Sequence, residues 1–281
     1  MDRREEEVAL TQGDGQVDEA CQDCKKKGAL NVCKSNMLIE ANYKLNLVEH
    51  RIILACLAKL DSRKPIPESI TFTAQEYVHS FNTPLKQAYL ALENGSKGLH
   101  ERTLGLRDKS GKTRRQIRWL QGPVTRLEYE AEIVLRFSEV VKPHLTLLHQ
   151  CFTVYELEKV ANLQSTYSIR LYELLIQWRS THKLFIRVEA FKEHLGLEDQ
   201  YQKFKNLKRW VIDPAVKELQ EKSGLKIRWA VQRRGRKAVT LVFNFKEKSL
   251  PGSKLARFPS KEERSSSESE PASEANTNSP T

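Results

Sequence analysis

The chain has 281 residues, 39% of them hydrophobic, with 47 Lys and Arg against 36 Asp and Glu, a formal net charge of +11 and an isoelectric point near 9.4. That length accommodates two modest cores, and the positive excess favours a polyanionic partner, either nucleic acid or an anionic membrane. No apolar run approaches the roughly 18 residues of a bilayer span, and the opening "MDRREEEVAL" lacks a signal-peptide core, so the sequence predicts a cytoplasmic protein without membrane contact.

Residues 1–36 are polar and aperiodic and read as a flexible extension. Cys21 and Cys24 stand in Cys-x2-Cys spacing with Cys33 beyond, but a structural zinc wants four ligands and the nearest histidine, His50, lies in a helix-patterned stretch. The five cysteines, an odd count, read as free thiols of a reducing compartment, these three in a loose arm, and no metal or other cofactor is expected.

From residue 37 the pattern becomes periodic. Around "NLVEHRIILACLAKL", Leu45, Val48, Ile52 and Ile53 recur at helical spacing and predict a helix over 46–60. "SITFT" predicts a strand, Ala74 to Ser80 a short helix, and the run from Pro84 to His100 a third helix weakened by Gly95 and Gly98. On that helix Leu85, Ala88, Tyr89 and Leu92 form the expected buried stripe, leaving Lys86 and Gln87 exposed. Strands come next over about 102–107 and 114–121, and "TRLEYEAEIVLRFS" adds one more, completing a first domain over 37–140.

Between two of those strands, "RDKSGKTRRQIRW" contains Gly111-Lys112-Thr113, the last letters of a phosphate-binding loop. The loop needs a glycine where Leu106 stands and a helix after Thr113, whereas Arg114 to Trp119 alternate like a strand. "KSGK" reads instead as the tip of a β-hairpin.

The second domain, 141–246, repeats the order. "STYSIRLYELLIQWRS" predicts a helix capped by Ser165 or Thr166, with Tyr167, Leu171, Leu175 and Trp178 on one face. "KLFIRV" predicts a strand, "EAFKEHLGL" a short helix ending at Gly196, and 201–224 a long helical region. Asp213-Pro214 interrupts that region, as a kink or as the start of a new helix. "LKIRWAVQ" and "KAVTLVFNF" are strands about the turn at Arg233 to Arg236, and residues 247–281, rich in Ser and Glu, read as a disordered tail.

Helix, strand, helix, helix and basic hairpin thus occur twice, the arrangement of an α+β protein with two tandem winged-helix domains and disordered terminal extensions. In that arrangement one helix enters the major groove of duplex DNA and the hairpin, or wing, reaches flanking phosphates. The charge agrees: Gln202 to Lys237 holds twelve Lys and Arg against three acids, a net +9. With Phe204, Leu207 and Val211 inward and Trp210 beside them, Gln202, Lys205, Asn206 and Arg209 face outward as base readers, flanked by Lys203 and Lys208 for phosphates. Arg233, Arg234, Arg236 and Lys237 supply backbone contacts from the second wing, and Lys109, Lys112, Arg114 and Arg115, with Arg102, Arg107 and Arg118, from the first. In the first domain Lys86 and Gln87 are base-contact candidates on a helix that alternatively only packs or mediates dimer contacts. No catalytic constellation emerges: no two histidines form His-x-His, and neither Gly-x-Ser-x-Gly nor His-Glu-x-x-His occurs.

"STYSIRLYELLIQW", then "FKNLKRWVIDPAVKELQEKSGLKIRWAVQRRGRKAVTLVFNF", resembles the theta-type plasmid replication initiators, the RepA/RepE/Pi-like family, over about 40–246. The resemblance implies binding to repeated origin sites (iterons), origin opening, autorepression by dimers formed through the first domain, and recruitment of host DnaA and replicative helicase. It carries the second reading helix onto Lys203 to Arg209 and its wing onto Arg233 to Lys237. A double winged-helix transcriptional regulator without an initiation role is the alternative, and a nicking or nucleotide-driven replication enzyme the one from another class.

Overall fold

The computed structural model describes residues 30–107, 114–127, 132–148 and 151–247. Residues 1–29 of the expected extension, residues 248–281 of the expected tail, whose first residue Glu247 is still described, and the first wing tip, with Lys109 and Lys112, lie outside the described residues.

Residues 31–36, assigned by composition to the flexible extension, instead form β1 (Asn31–Ser35) and enter α1 (Asn36–Ile39). β1 pairs antiparallel with β8 (Phe152–Glu156), placing Val32 opposite Tyr155 and fully burying Val32 and Lys34. Cys33 is therefore a buried strand residue and not part of a loose arm. The segment is too short to show periodicity, and its partner lies far along the chain, past the division expected at 140/141.

β2 (Asn42–Tyr43) leads to α2 (Leu47–Ala58), whose start is fixed by a reciprocal capping box: the Asn46 side chain accepts from the Glu49 amide at 2.9 Å, and Glu49 accepts from the Asn46 amide at 2.8 Å. β3 (Ile70–Thr73) and α3 (Ala74–Phe81) come next, joined by a second such box between Thr73 and Glu76. α4 (Leu85–Leu99) then crosses α2 closely. A Cβ on Gly95 would lie 2.4 Å from Ile52 Cδ1, so the glycine expected to weaken the helix permits the approach. The same contact corrects the expected stripe. α4 turns Ala88, Leu92, Gly95, Ser96 and Leu99 inward, leaving Leu85 and Tyr89 44% and 48% exposed.

The first wing is β4 (Thr103–Arg107) with β5 (Arg114–Arg118), extended by β2 into the sheet order β2-β4-β5. The single strand expected at "TRLEYEAEIVLRFS" is a hairpin, β6 (Thr125–Leu127) with β7 (Glu132–Leu135), and β3 pairs with β7. A 3-10 turn (Lys142–His144), β8 and α5 (Glu158–Ala161) lead to α6 (Thr166–Ile176), capped by Ser165. Because α6 ends at Ile176, Trp178 leaves the helical face on which it was expected and is 44% exposed.

In the second half β9 (Lys183–Arg187), α7 (Val188–His194) and a long helix precede β10 (Leu225–Arg234) and β11 (Lys237–Glu247), in the sheet order β10-β11-β9. One contiguous hydrophobic core runs through both halves. At their seam a buried polar cluster replaces apolar packing. The Arg170 guanidinium, on α6, donates to Ala41 O at 2.9 Å, His194 O at 2.7 Å, Glu173 Oε2 at 3.1 Å and the Tyr43 hydroxyl. Glu173 Oε1 accepts from Lys34 Nζ and from the Tyr155 hydroxyl, both at 2.6 Å. Burial alone would raise the Glu173 carboxyl, but the Lys34 ammonium bonded to it and the Arg170 guanidinium outweigh it and hold the carboxyl below the usual carboxylate range. Gly196, at φ +66°, ends α7 against the Tyr43 carbonyl, where a Cβ would come within 3.2 Å.

Candidate nucleic-acid interface

The long helix settles how the chain passes Asp213-Pro214. α8 (Phe204–Leu207) continues through a π-helical stretch (Lys208–Ile212) into α9 (Asp213–Lys222), and the backbone stays right-handed helical throughout. Pro214 has no N–H to donate and its ring crowds the carbonyl four residues back. Widening the preceding turn, with the Asp213 amide donating to Lys208 O, accommodates the proline without breaking the helix.

Leu207, Val211, Ile212, Ala215, Val216 and Leu219 are buried and anchor the helix. The outward residues are those the spacing selected: Gln202, Lys203, Lys205, Asn206, Lys208 and Arg209 are all exposed. Trp210 departs from expectation. It is 57% exposed, because the widened turn slows rotation about the axis and moves it off the buried stripe. Its ring lies 4.8 Å from the Arg209 guanidinium, so an aromatic joins the reading face. The only sequence signal for this is Pro214, four residues later.

The second wing packs beside the start of this helix. Its turn is two residues, Gly235 and Arg236, with Arg234 opposite Lys237 and Gly235 at φ +58°. A bulge at Gln232/Arg233 shifts the register and swings Arg233 under the sheet, where its guanidinium stands 5.7 Å from the Phe204 ring. Lys208 Nζ lies 5.0 Å from the Trp229 ring on β10. These two cation–π contacts hold helix and ribbon together as one ridge.

Ion pairs sort the cations on that ridge. Lys208 is held by Asp213 at 2.7 Å and Lys237 by Glu189 at 3.1 Å. Among the described residues Lys203, Lys205, Arg234 and Arg236 make no ion pair, and all are exposed. Surface pairs of this kind are worth little, so Lys208 and Lys237 can exchange a carboxylate for a phosphate at small cost.

The first half offers less. Lys86 and Gln87 are exposed on α4, beside the unexpected apolar pair Leu85 and Tyr89. On the first wing Arg115 is exposed and Arg114 opens β5 opposite Arg107. Arg102 and Arg107, expected as wing cations, are already engaged. Arg102 Nε donates to both Glu49 oxygens at 2.9 Å, and Arg107 Nε donates to Glu193 of α7 at 2.9 Å. Among the described residues no helix is long and apolar enough to cross a membrane.

Two family models match the chain: "Initiator Replication protein, WH1" over residues 31–176 and "Initiator Rep protein, WH2" over 187–245. Among curated proteins it is 33% identical over 224 residues to a replication initiation protein of Escherichia coli, covering 76% of this chain and 69% of that one. An uncharacterized 27.6 kDa protein of Escherichia coli is 26% identical over 221 residues, covering 74% of this chain and 92% of that one. Among solved structures the Pi initiator protein in complex with iteron DNA superposes with a TM-score of 0.67 at 21% identity, over 79% of this chain and 99% of that one. Two winged helices in tandem, joined by a polar seam and each carrying a helix and a basic ribbon, place the chain in the family of plasmid initiator replication proteins.

Proposed function

We propose that this initiator binds directly repeated sites in duplex origin DNA and opens the origin by binding, without a bond-making step of its own. The observation that carries the reading is the single exposed ridge formed by Gln202 to Arg209 and the Arg233 to Lys237 turn, linked through Arg233 and Phe204. Gln202, Lys205, Asn206 and Arg209 read base edges in the major groove; Lys203, Lys208, Arg233, Arg234, Arg236 and Lys237 grip the flanking backbone. The first half contributes Lys86 and Gln87 from α4, and Arg114 and Arg115 with Lys109 and Lys112 from its wing. Lysine and arginine release counterions from phosphates, and occupancy of adjacent repeats strains the duplex. The iteron DNA held by the Pi initiator supports repeats as the target.

Dimer formation through the first half, repression of the encoding gene, and recruitment of host DnaA and helicase complete the proposal, on the strength of the family resemblance. A nuclease footprint over the DNA upstream of the encoding gene tests it. A ladder of protected direct repeats is expected; a single protected palindrome would instead support the simple regulator.

A further inference from the structure

The buried cluster at the seam is short of one anion. Lys34 and Arg170 are both buried cations, and among the described residues Glu173 is the only carboxylate bonded to either. Two positive charges sharing one negative charge leave an excess inside the protein, which is costly unless a further anion lies close. Against Arg170 lies a cavity of about 160 Å³. Lys44 and His50 line it from the first half, Leu197 and Gln200 from beyond α7, and α6 contributes Arg170 together with its first turn at Thr166. Two polar atoms of these residues have no hydrogen-bond partner among the described residues: Arg170 Nε and His50 Nε2, on side chains no more than 3% exposed. Both terminal nitrogens of Arg170 are already committed to the seam, so Nε–H is the donor left over. Burial keeps the His50 imidazole neutral, and its Nε2–H tautomer offers a second donor. Lys44 is exposed and makes no ion pair among the described residues. No carboxylate lines the cavity, and the first turn of α6 holds no acid, so the positive end of that helix dipole is uncompensated.

We propose that this cavity binds a small oxyanion, of which inorganic phosphate is the simplest, held by Arg170 Nε, His50 Nε2 and the Lys44 ammonium. Charge-assisted bonds from donors alone are what a fully ionised acceptor requires. The volume sets the size: pockets for cofactors and larger ligands begin near about 300 Å³, whereas one water fills only a fraction of this space. A phosphate of the DNA backbone shares the chemistry, but none of the ridge residues lines the cavity, so the site takes the free anion. Bound there, the anion supplies the negative charge that Lys34 and Arg170 lack and touches residues from both sides of the seam, stabilising the junction of the two winged helices. The inference stands on the seam's own residues and does not depend on the repeat-binding reading.

The test titrates the full chain, without DNA, with sodium phosphate at constant ionic strength and reads the heat of binding. One saturable site per chain is expected; Lys44→Ala weakens it about 5-fold or more, and Lys44→Arg restores it. Phosphate also stabilises proteins in general by exclusion from their surface, so the urea midpoint is compared at matched ionic strength, where phosphate should raise it further in the parent than in Lys44→Ala. Proton–nitrogen NMR spectra report on the buried end: the Arg170 Nε–H signal, assigned by its loss in Arg170→Lys, should move during the titration. Lys44→Ala leaves affinity for the upstream duplex unchanged. Absence of saturable binding, equal binding by Lys44→Ala and the parent, or an unmoved Arg170 signal at saturation each overturns the proposal. Displacement of phosphate by saturating duplex overturns it in favour of the DNA backbone. Failure of the upstream duplex to bind, with the phosphate results intact, would count against the repeat-binding reading alone.

Discussion

Arg170 is the side chain whose removal tests the seam most sharply. It is 3% exposed and ties three parts of the chain: Ala41 beside β2, Glu173 on its own helix, and the His194 carbonyl at the end of α7. In Arg170→Met, Glu173 keeps Lys34 and Tyr155 at 2.6 Å, so the carboxylate is not left alone. The cost comes from losing one member of a buried ionic cluster and from stranding two carbonyls, together about 3–5 kcal/mol. Urea unfolding followed by circular dichroism reads this as a midpoint lower by about 1.5–2.5 M for a slope of about 2 kcal/mol per M. Lys34→Met should cost a similar amount, and Arg170→Lys less than Arg170→Met, because the ammonium restores the charge but spans fewer acceptors. A loss below about 1 kcal/mol in Arg170→Met would refute the claim that this cluster fixes the two halves against each other.

Arg209→Ala should lose discrimination at one base position, a factor of about 10 or more, whereas Arg234→Ala should weaken specific and random duplexes alike and lower the slope of log K against log salt by about 0.9; equal losses on both duplexes for Arg209→Ala would contradict its role. Burial lowers His50 to about 3 and, with Arg170 adding to it, His194 to about 4, so between pH 6.5 and those values the unfolded chain binds protons that the folded chain does not. Stability is therefore full above about pH 6.5 and falls as the pH drops, and His194→Gln should flatten the part of the urea midpoint profile between 6.5 and about 4. Gly95→Val should lower the thermal midpoint by overpacking against Ile52, at about 1–3 kcal/mol, despite valine's better helix propensity.

The second half is legible in the sequence because its elements are long and locally determined. β10 and β11 alternate over ten residues, Gly235 marks the turn, and Leu207, Val211 and Leu219 are buried on the face that points away from the exposed cations. The departures have physical causes that no local window carries. β1 is invisible because five residues with a lysine near their centre show no period; a salt bridge to a residue 139 positions away makes that lysine buriable. The rotation of α4 differs from expectation because Leu85 and Tyr89 carry far more apolar surface than glycine, yet the bare backbone of Gly95 is what lets Ile52 and Val48 of α2 approach. Trp210 lands elsewhere because a uniform rotation per residue fails in a π-helical turn. Arg102 and Arg107 look like wing cations in sequence because their carboxylates, Glu49 and Glu193, come from distant parts of the chain.

Site-specific photocrosslinking tests the central claim most directly. With benzoylphenylalanine in place of Asn206, in place of Arg234 and, as a control, in place of Phe185 on the opposite face of the sheet, irradiation of each protein with its upstream duplex should give adducts from positions 206 and 234 and none from 185. A duplex adduct from 185 in place of 206 would move the DNA to the wrong side of the sheet and contradict the account.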